Sequence, residues 1–318
     1  MAVTELPVLN PATPPVPKPR RLHRDTVTAW LYLAPAGLLL LAILVYPIYQ
    51  IVLISFYDYG QEQAAGAAPP RWVGLGNYRE LLGDGQFWTV LANTFGFGAV
   101  CVIGALAVGT GLAVLATRVR TVPRTLLFLA ALGAWSTPAV AGSYVWLFLF
   151  DTDFGLVNET LSGIGFRSMD GHSWTYGTLS AFGLVAAEVI WCSFPFVMVT
   201  MYAGIKAIPR EVLEAAALDG ASTWRTTRSV ILPILRPLPF IATVQSIIWD
   251  FKIFTQIYVM TNGGGVAGRN LVLNVYAYQK AFAGQEYGLG SAIGVVMTLL
   301  LLSITGLYIR TQRRSDAW

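Results

Sequence analysis

The sequence predicts an all-α membrane protein of six transmembrane helices, with both termini in the cytoplasm. Three observations carry this. Hydrophobic residues make up 55% of the 318-residue chain and charged residues 12%. The apolar residues gather in blocks of roughly twenty or more, the length an α-helix needs to cross the hydrocarbon of a bilayer. Lys and Arg, finally, are shared unevenly among the segments between the blocks. In lipid every backbone polar group must be satisfied internally, so the blocks are helices. A transmembrane β-barrel would show alternating segments of about 10 residues, and the sequence has no such pattern.

Residues 1–24 are Pro-rich and then basic (Lys18, Arg20, Arg21, Arg24), and read as a disordered cytoplasmic tail. The apolar run that follows is too long for a signal peptide, and no small-x-small cleavage site follows it. It is the first span, 29–55. The others are 88–116, 125–149, 178–203, 236–260 and 288–309, giving a transmembrane domain over 25–310 and a short cytoplasmic tail, 311–318. Pro35, Pro47, Pro138 and Pro195 fall inside spans and are read as kinks.

With the N-terminus inside, the cytoplasmic segments hold fifteen basic residues: Lys18, Arg20, Arg21, Arg24, Arg118, Arg120, Arg124, Lys206, Arg210, Arg225, Arg228, Arg236, Arg310, Arg313 and Arg314. The external segments hold five: Arg71, Arg79, Arg167, Arg269 and Lys280. The net charge of +4 is therefore a topology signal. Nucleic-acid binding is excluded as a reading, because the cations are divided among four separate segments.

Several chemistries are missing their residues. Cys101 and Cys192 lie inside spans and read as small buried residues, while His23 and His172 lie on opposite sides of the membrane. No metal or haem constellation can be assembled from them. A P-loop needs Gly-Lys-Ser/Thr, and none of Lys18, Lys206, Lys252 and Lys280 follows a Gly. Any ATP-driven work needs a second chain to bind the nucleotide. Gly220-Ala221-Ser222 faintly resembles a nucleophile turn, but Ser222 is in a loop and no span carries a His to serve as base. Asn158-Glu159-Thr160 is a glycosylation sequon short enough to occur by chance.

The segment 206–235 between spans four and five is the most informative. Pro209 suits a first helical position, and Glu211 and Glu214 sit early, where the helix dipole favours anions. Ala215, Ala216 and Ala217 keep the helix strong and its surface shallow. Asp219-Gly220 breaks it, with Gly taking the left-handed cap. Ser222 then caps a second helix running to about Ile231, which Pro233 ends. Such a helix–turn–helix suits docking into a cleft on a soluble partner. An interfacial helix resting on lipid would instead carry Lys or Arg along one face and bulky apolar residues on the other, a pattern the first helix lacks.

Within the spans, charge is costly and usually faces a cavity or a partner. Glu188, Asp250 and Lys252 are the candidates for such positions, with Trp191, Trp249 and Tyr258 as aromatic surfaces on which a planar or ring-shaped group would stack. Asp250 and Lys252 are two residues apart on one helix and do not face each other, so each needs its own partner; a structural pairing or a contact with another subunit is the competing reading. Glu188 either meets the solute or braces a kink near Pro195. Gly290 and Gly294 have a spacing for close helix packing. Asn262, Gly263 and Gly264, with Gly265, form either a flexible connector or a lip that touches an external protein.

The stretch Glu214-Ala215-Ala216…Asp219-Gly220-Ala221, followed by Leu232-Pro233 and Pro237, resembles the EAA loop of ABC importer permeases. The resemblance extends to YLAPAGLLLLAILVYPIYQIVLISFYDY, GLGNYRELL and FKIFTQIYVMTNGG, and is to the six-span carbohydrate permeases of the maltose and glycerol-phosphate type. Two positions depart from that pattern: Thr227 stands where the family usually has Phe or a similar apolar residue, leaving Trp224 or Val230 to pack on the partner, and Gly265 stands where Pro is common. The resemblance implies a type I importer permease fold in a bacterial cell membrane and a non-catalytic subunit without a cofactor of its own. It also implies four kinds of partner: a second homologous permease, a dimer of ATPase subunits that bind ATP and Mg, an extracytoplasmic sugar-binding protein, and a sugar. Glu211, Glu214, Ala215, Ala216, Asp219, Gly220, Ala221, Trp224 and Pro233 would then couple the chain to the ATPase. A polyol or glycerol-phosphate-type solute is an alternative within the same fold. An ion-coupled secondary transporter is an alternative outside it, poorly served by one intramembrane Glu, one Asp and no evident repeat.

Overall fold

The computed structural model describes residues 22–235 and 237–315; of the expected tails 1–24 and 311–318, residues 1–21 and 316–318, including Lys18, Arg20 and Arg21, lie outside them, as does Arg236, while 22–24 and 311–315 are helical rather than tail. The chain divides into two compact units, Met1–Gln50 and Ile51–Trp318. The described part of the first is a single apolar helix: α1 (Leu22–Leu40), a π-helical segment (Leu41–Val45) and the start of α2 (Tyr46–Ile54). A proline ring crowds the carbonyl four residues before it. For Pro47 that residue is Ile43, and the wider π turn lies there.

In the second unit, β1 (Tyr57–Asp58) and β2 (Arg71–Trp72) form an antiparallel hairpin around α3 (Gln61–Ala64). Then come α4 (Gly76–Gly83) and α5 (Gly85–Arg118). Asp84 caps α5, accepting from the Gln86 N–H at 2.8 Å. The third apolar run forms two helices, α6 (Thr121–Ser136) and α7 (Ala139–Leu149), bent by 108° where one kinked span was expected. The cause is local: the residue before a proline is pushed out of the helical region, and both Thr137 (ψ 124°) and Pro138 (ψ 134°) are extended.

The external segment holds α8 (Leu156–Gly163). The fourth run is one helix, α9 (Thr178–Ala207), continuous through Pro195. α5 and α9 pack closely because small residues let them. A Cβ on Gly104 would lie 2.3 Å from Ile190, and one on Gly109 2.6 Å from Val197.

The chain continues through α10 (Arg210–Leu218), α11 (Thr223–Thr226), a π segment (Thr227–Ile231) and α12 (Leu232–Ile234). The second helix of the loop thus runs past Ile231, and Pro233 lies inside it. Again the residue four before the proline, Ser229, is in the π segment. Span five is not continuous either. α13 (Pro237–Asp250) and α14 (Thr255–Met260) are separated by non-helical backbone at 251–254. α15 (Leu273–Tyr278) leads into a third π segment (Gln279–Ala283), and α16 (Tyr287–Ser315) closes the chain, six residues beyond the expected end of its span. By length and composition four helices among the described residues can cross a membrane, or six if each bent pair counts as one span.

Two buried clusters hold the second unit together. Phe87, Val185, Ile257, Leu273 and Ile293 belong to the external one. Val197, Met198, Met201, Ile205 and Ile231 belong to the cytoplasmic one. Lipid is as apolar as these side chains, so what they supply is close packing and dispersion rather than escape from water.

Candidate functional site

The cytoplasmic loop is built much as its turn chemistry predicts. Pro209 is one residue outside the first helix, acting as its N-cap (φ −54°, ψ 136°) rather than its first residue. Gly220 sits at φ +70°, and the helix end closes by Gly220 N–H to Ala217 O (3.1 Å) and Ala221 N–H to Ala216 O (3.0 Å). Ser222 accepts from the Arg225 N–H at 3.3 Å. Glu211, Glu214, Ala215 and Asp219 are exposed, whereas Ala216 is buried and Ala221 is half-buried. Thr227 is buried too. Two large apolar side chains flank the turn in the open: Leu218 is 90% exposed and Trp224 71%. Sequence reasoning named Trp224 but missed Leu218, because one more Leu carries no signal in so apolar a chain.

The predicted pathway residues do not converge on one site. Glu188 is fully buried; Ser143 of α7 donates to its Oε1 at 3.3 Å, and its Oε2 has no hydrogen-bond partner among the described residues. Asp250 is buried likewise, with Ser193 of α9 donating to Oδ1 at 3.2 Å and Oδ2 without a partner. Both carboxyls therefore tie helices together, α7 to α9 and α9 to α13. Neither forms a salt bridge with a Lys or Arg among the described residues. Trp191 packs on Trp146 and Trp249 on Phe196.

Lys252 is placed differently. The break between α13 and α14 frees it from the helix, and it is exposed in a cavity of about 750 Å³. Tyr59, Phe254, Tyr278, Phe282 and Tyr287 supply that cavity's aromatic walls. Tyr258 stands behind them, stacked on Phe254 at 5.1 Å and edge-on to Tyr278 at 5.4 Å. Among the described residues the cavity lining contains no acidic side chain. Rigid aromatic faces with a few polar groups suit a solute that is apolar on one face and hydroxylated at its edge. These walls were not legible from sequence, since they come from four separate stretches. Gly290 and Gly294 line the same cavity, and a Cβ on Gly290 would meet Ala281 at 2.6 Å, so its close packing is within this chain.

The external loop after α14 is tightly built. Asn262, Gly263, Gly264 and Gly265 all have positive φ. Gln279 donates to Gly263 O at 2.6 Å, Gly265 N–H to Thr261 O at 2.7 Å, and Asn270 N–H to Gly264 O at 2.7 Å. Beside it Tyr276 donates to Asp84 Oδ2 at 2.5 Å. That hydroxyl holds the Asp84 carboxyl below the ordinary carboxylate range, while burial pushes the Tyr276 hydroxyl up. His, Cys, Asp and Glu form no group able to hold a metal among the described residues.

Residues 38–316 match the family described as binding-protein-dependent transport system inner membrane component. The chain is 39% identical to the diacetylchitobiose uptake system permease protein DasB of Streptomyces coelicolor, over 88% of this chain and 85% of that protein. It is 32% identical to the sulfoquinovosyl glycerol transport system permease protein SmoG of Agrobacterium fabrum, over 92% of each. In structure it is similar to a chain in the crystal structure of a bacterial ABC transporter involved in the import of the acidic polysaccharide alginate. There the TM-score is 0.76 at 20% identity, covering 92% of this chain and 99% of that one. At that identity the likeness is one of fold.

Proposed function

This chain belongs to the family of binding-protein-dependent transport system inner membrane components, and from that premise we propose that it forms half of the translocation pathway of a sugar importer. It is a non-catalytic, multi-pass permease subunit of an ABC importer in a bacterial plasma membrane. A sugar as solute is supported by relatives that carry diacetylchitobiose and sulfoquinovosyl glycerol and by the aromatic cavity around Lys252. The other half is a second homologous permease, and the ATP and Mg reside on a pair of ATPase subunits. An extracytoplasmic binding protein delivers the solute, against Asn262, Gly263 and Gly264.

In this reading ATP binding draws the ATPase dimer together, and the loop 206–235 moves with it. Glu211, Glu214, Ala215, Asp219, Gly220, Ala221, Trp224 and Pro233 form the docking unit, with the buried Ala216 holding it to the chain. The spans rock, solute enters from the binding protein, and hydrolysis resets the inward-facing state. Lys252 contacts the solute, Tyr258 backs the aromatic wall that the solute meets, and Trp191, Trp249, Glu188 and Asp250 shape the helices behind them. The single observation that carries the coupling role is the exposed pair Leu218 and Trp224 around a rigid left-handed turn. Aromatic side chains such as Trp224, once buried by a partner, typically dominate protein interfaces.

The test is co-purification of the tagged chain with its genomic neighbours. An ATPase subunit should accompany the wild-type chain through detergent and be lost from Glu214→Lys and Trp224→Asp. An ATPase that never accompanies the chain, together with solute uptake by the purified chain alone, would overturn the reading.

A further inference from the structure

Behind the coupling loop lies a second cavity, of about 420 Å³. Among the described residues its charged lining consists of Arg118, Lys206 and Arg210, with no acidic side chain. All three cations are exposed, and none forms a salt bridge among the described residues. Lys206 lies over the Tyr202 ring at 5.9 Å, which directs its ammonium without neutralising it. The depth of the cavity is set by the chain: Arg118 ends the candidate span Gly85–Arg118, and Lys206 is the penultimate residue of Thr178–Ala207. Those two spans are the closely packed pair α5 and α9. Ile205, Ile208, Leu213 and Ile231 form the apolar part of the wall. The cavity therefore joins three positive charges to apolar surface at the level where a cytoplasmic leaflet carries its headgroups.

We propose that this cavity is a phosphate-binding site, filled by the headgroup phosphate of an anionic phospholipid of the cytoplasmic leaflet. Basic pockets between spans on this side suit such headgroups. Arg forks match phosphate oxygens in pairs, while Lys supplies a point charge. The apolar wall takes the glycerol and first acyl carbons, which a free anion would leave uncovered. Because Leu213 and Ala217 of α10 share the lining, an occupant there braces the coupling helix against the ends of α5 and α9. The site does not depend on which solute is carried.

The experiment compares three forms of the assembled transporter, purified from membranes containing phosphatidylglycerol: the wild type, Arg118→Gln/Lys206→Gln, and the control Arg120→Gln/Arg124→Gln. The control removes the same charge from the same side without touching the cavity lining. Native mass spectrometry counts retained lipid, and thermal denaturation is followed with added phosphatidylglycerol, phosphatidylcholine or inorganic phosphate. Each cation near an anionic headgroup contributes about fivefold in affinity, so the double variant should bind phosphatidylglycerol roughly 30-fold less tightly. Adding Arg210→Gln should bring the loss to roughly a hundredfold. The control should match the wild type.

Stabilisation by millimolar inorganic phosphate equal to that by the lipid would assign the same site to a free anion. Three results would overturn the proposal: equal lipid loss in the control, no preference of the wild type for phosphatidylglycerol over phosphatidylcholine, or loss of the ATPase subunit from the double variant with lipid retention unchanged. The last would mean that an acidic residue of the partner fills the cavity.

Discussion

The two ends of this molecule finish their loops in opposite ways. At the external end the chain satisfies itself. Asn93 donates to Arg269 O and Leu271 O at 3.0 and 3.1 Å, and Leu273 N–H reaches Thr94 Oγ1 at 2.9 Å. Asn270 donates to Thr178 O at 2.8 Å, and Asn77 to Ser55 O and Tyr57 O at 2.8 and 2.9 Å. At the cytoplasmic end the loop 206–235 makes mostly local bonds and leaves Leu218 and Trp224 uncovered. The external loops are thus parts of a finished wall, whereas the cytoplasmic loop, in the proposed function, is half of an interface. Substitutions at the first end should cost stability of the chain itself, and those at the second should cost assembly.

The sharpest contrast is between two glycines with nearly the same φ. Gly265 has φ +74°, and an added Cβ would lie 2.3 Å from Asn270 Oδ1. Gly265→Ala therefore combines left-handed strain with overpacking and should destabilise the chain by about 3 kcal/mol, read as a lowered thermal midpoint in detergent. It should also disturb the Asn270–Thr178 bond that ties this loop to the start of α9. A wild-type midpoint would show that the external loop is as loose as a connector and that the contrast between the ends is false.

Asp84 tests the same end through charge. It both caps α5 and accepts from Tyr276, so Asp84→Ala should cost about 2 kcal/mol, one part for the cap and one for the bond. The sign with pH follows from the lowered carboxyl. A carboxylate held below its ordinary pKa contributes stability that is present above the unfolded value, about 3.9, and is lost as pH falls through the folded one. Tyr276, pushed upward, has its contribution below the ordinary tyrosine value of about 10 and loses it as pH rises further. The wild-type midpoint should therefore drop in acid more steeply than that of Asp84→Ala, and parallel acid limbs would sink the idea.

How much of this was legible in the sequence divides along the same line. The apolar runs and the cytoplasmic loop could be read because their signals are local: hydropathy over twenty residues, Pro209, Asp219-Gly220 and Ser222 within a few positions of what they shape. The bend at Thr137–Pro138 carried a signal, Pro138, whose size was underrated. The break at 251–254 carried a weaker one, two charges flanking Phe251 in an apolar run. The external wall was not legible, because its bonds join residues far apart in sequence; Asp84 and Tyr276 are separated by 192 positions. Nothing in the neighbourhood of either residue names the other. The same holds for the aromatic cavity, whose walls come from the hairpin near Tyr59 and from residues beyond 250.

At the cytoplasmic end the expected stability effects are small. A Cβ on Gly220 meets nothing within 4 Å, so Gly220→Ala should cost only the left-handed strain, about 1 kcal/mol. Leu218→Ser/Trp224→Ser should cost the isolated chain less still, within about 0.5 kcal/mol, since exposed positions away from caps and cores rarely matter to folding. The same double variant should nonetheless release the ATPase, because truncating a central anchor costs about 2 kcal/mol or more at an interface, roughly thirtyfold in affinity for one such residue. Measuring both quantities on one preparation separates the two ends cleanly. A variant that keeps its thermal midpoint and loses its ATPase marks Leu218 and Trp224 as docking residues. Loss of the midpoint as well would mean that these side chains are covered within the chain, and that the cytoplasmic loop is finished like the external one.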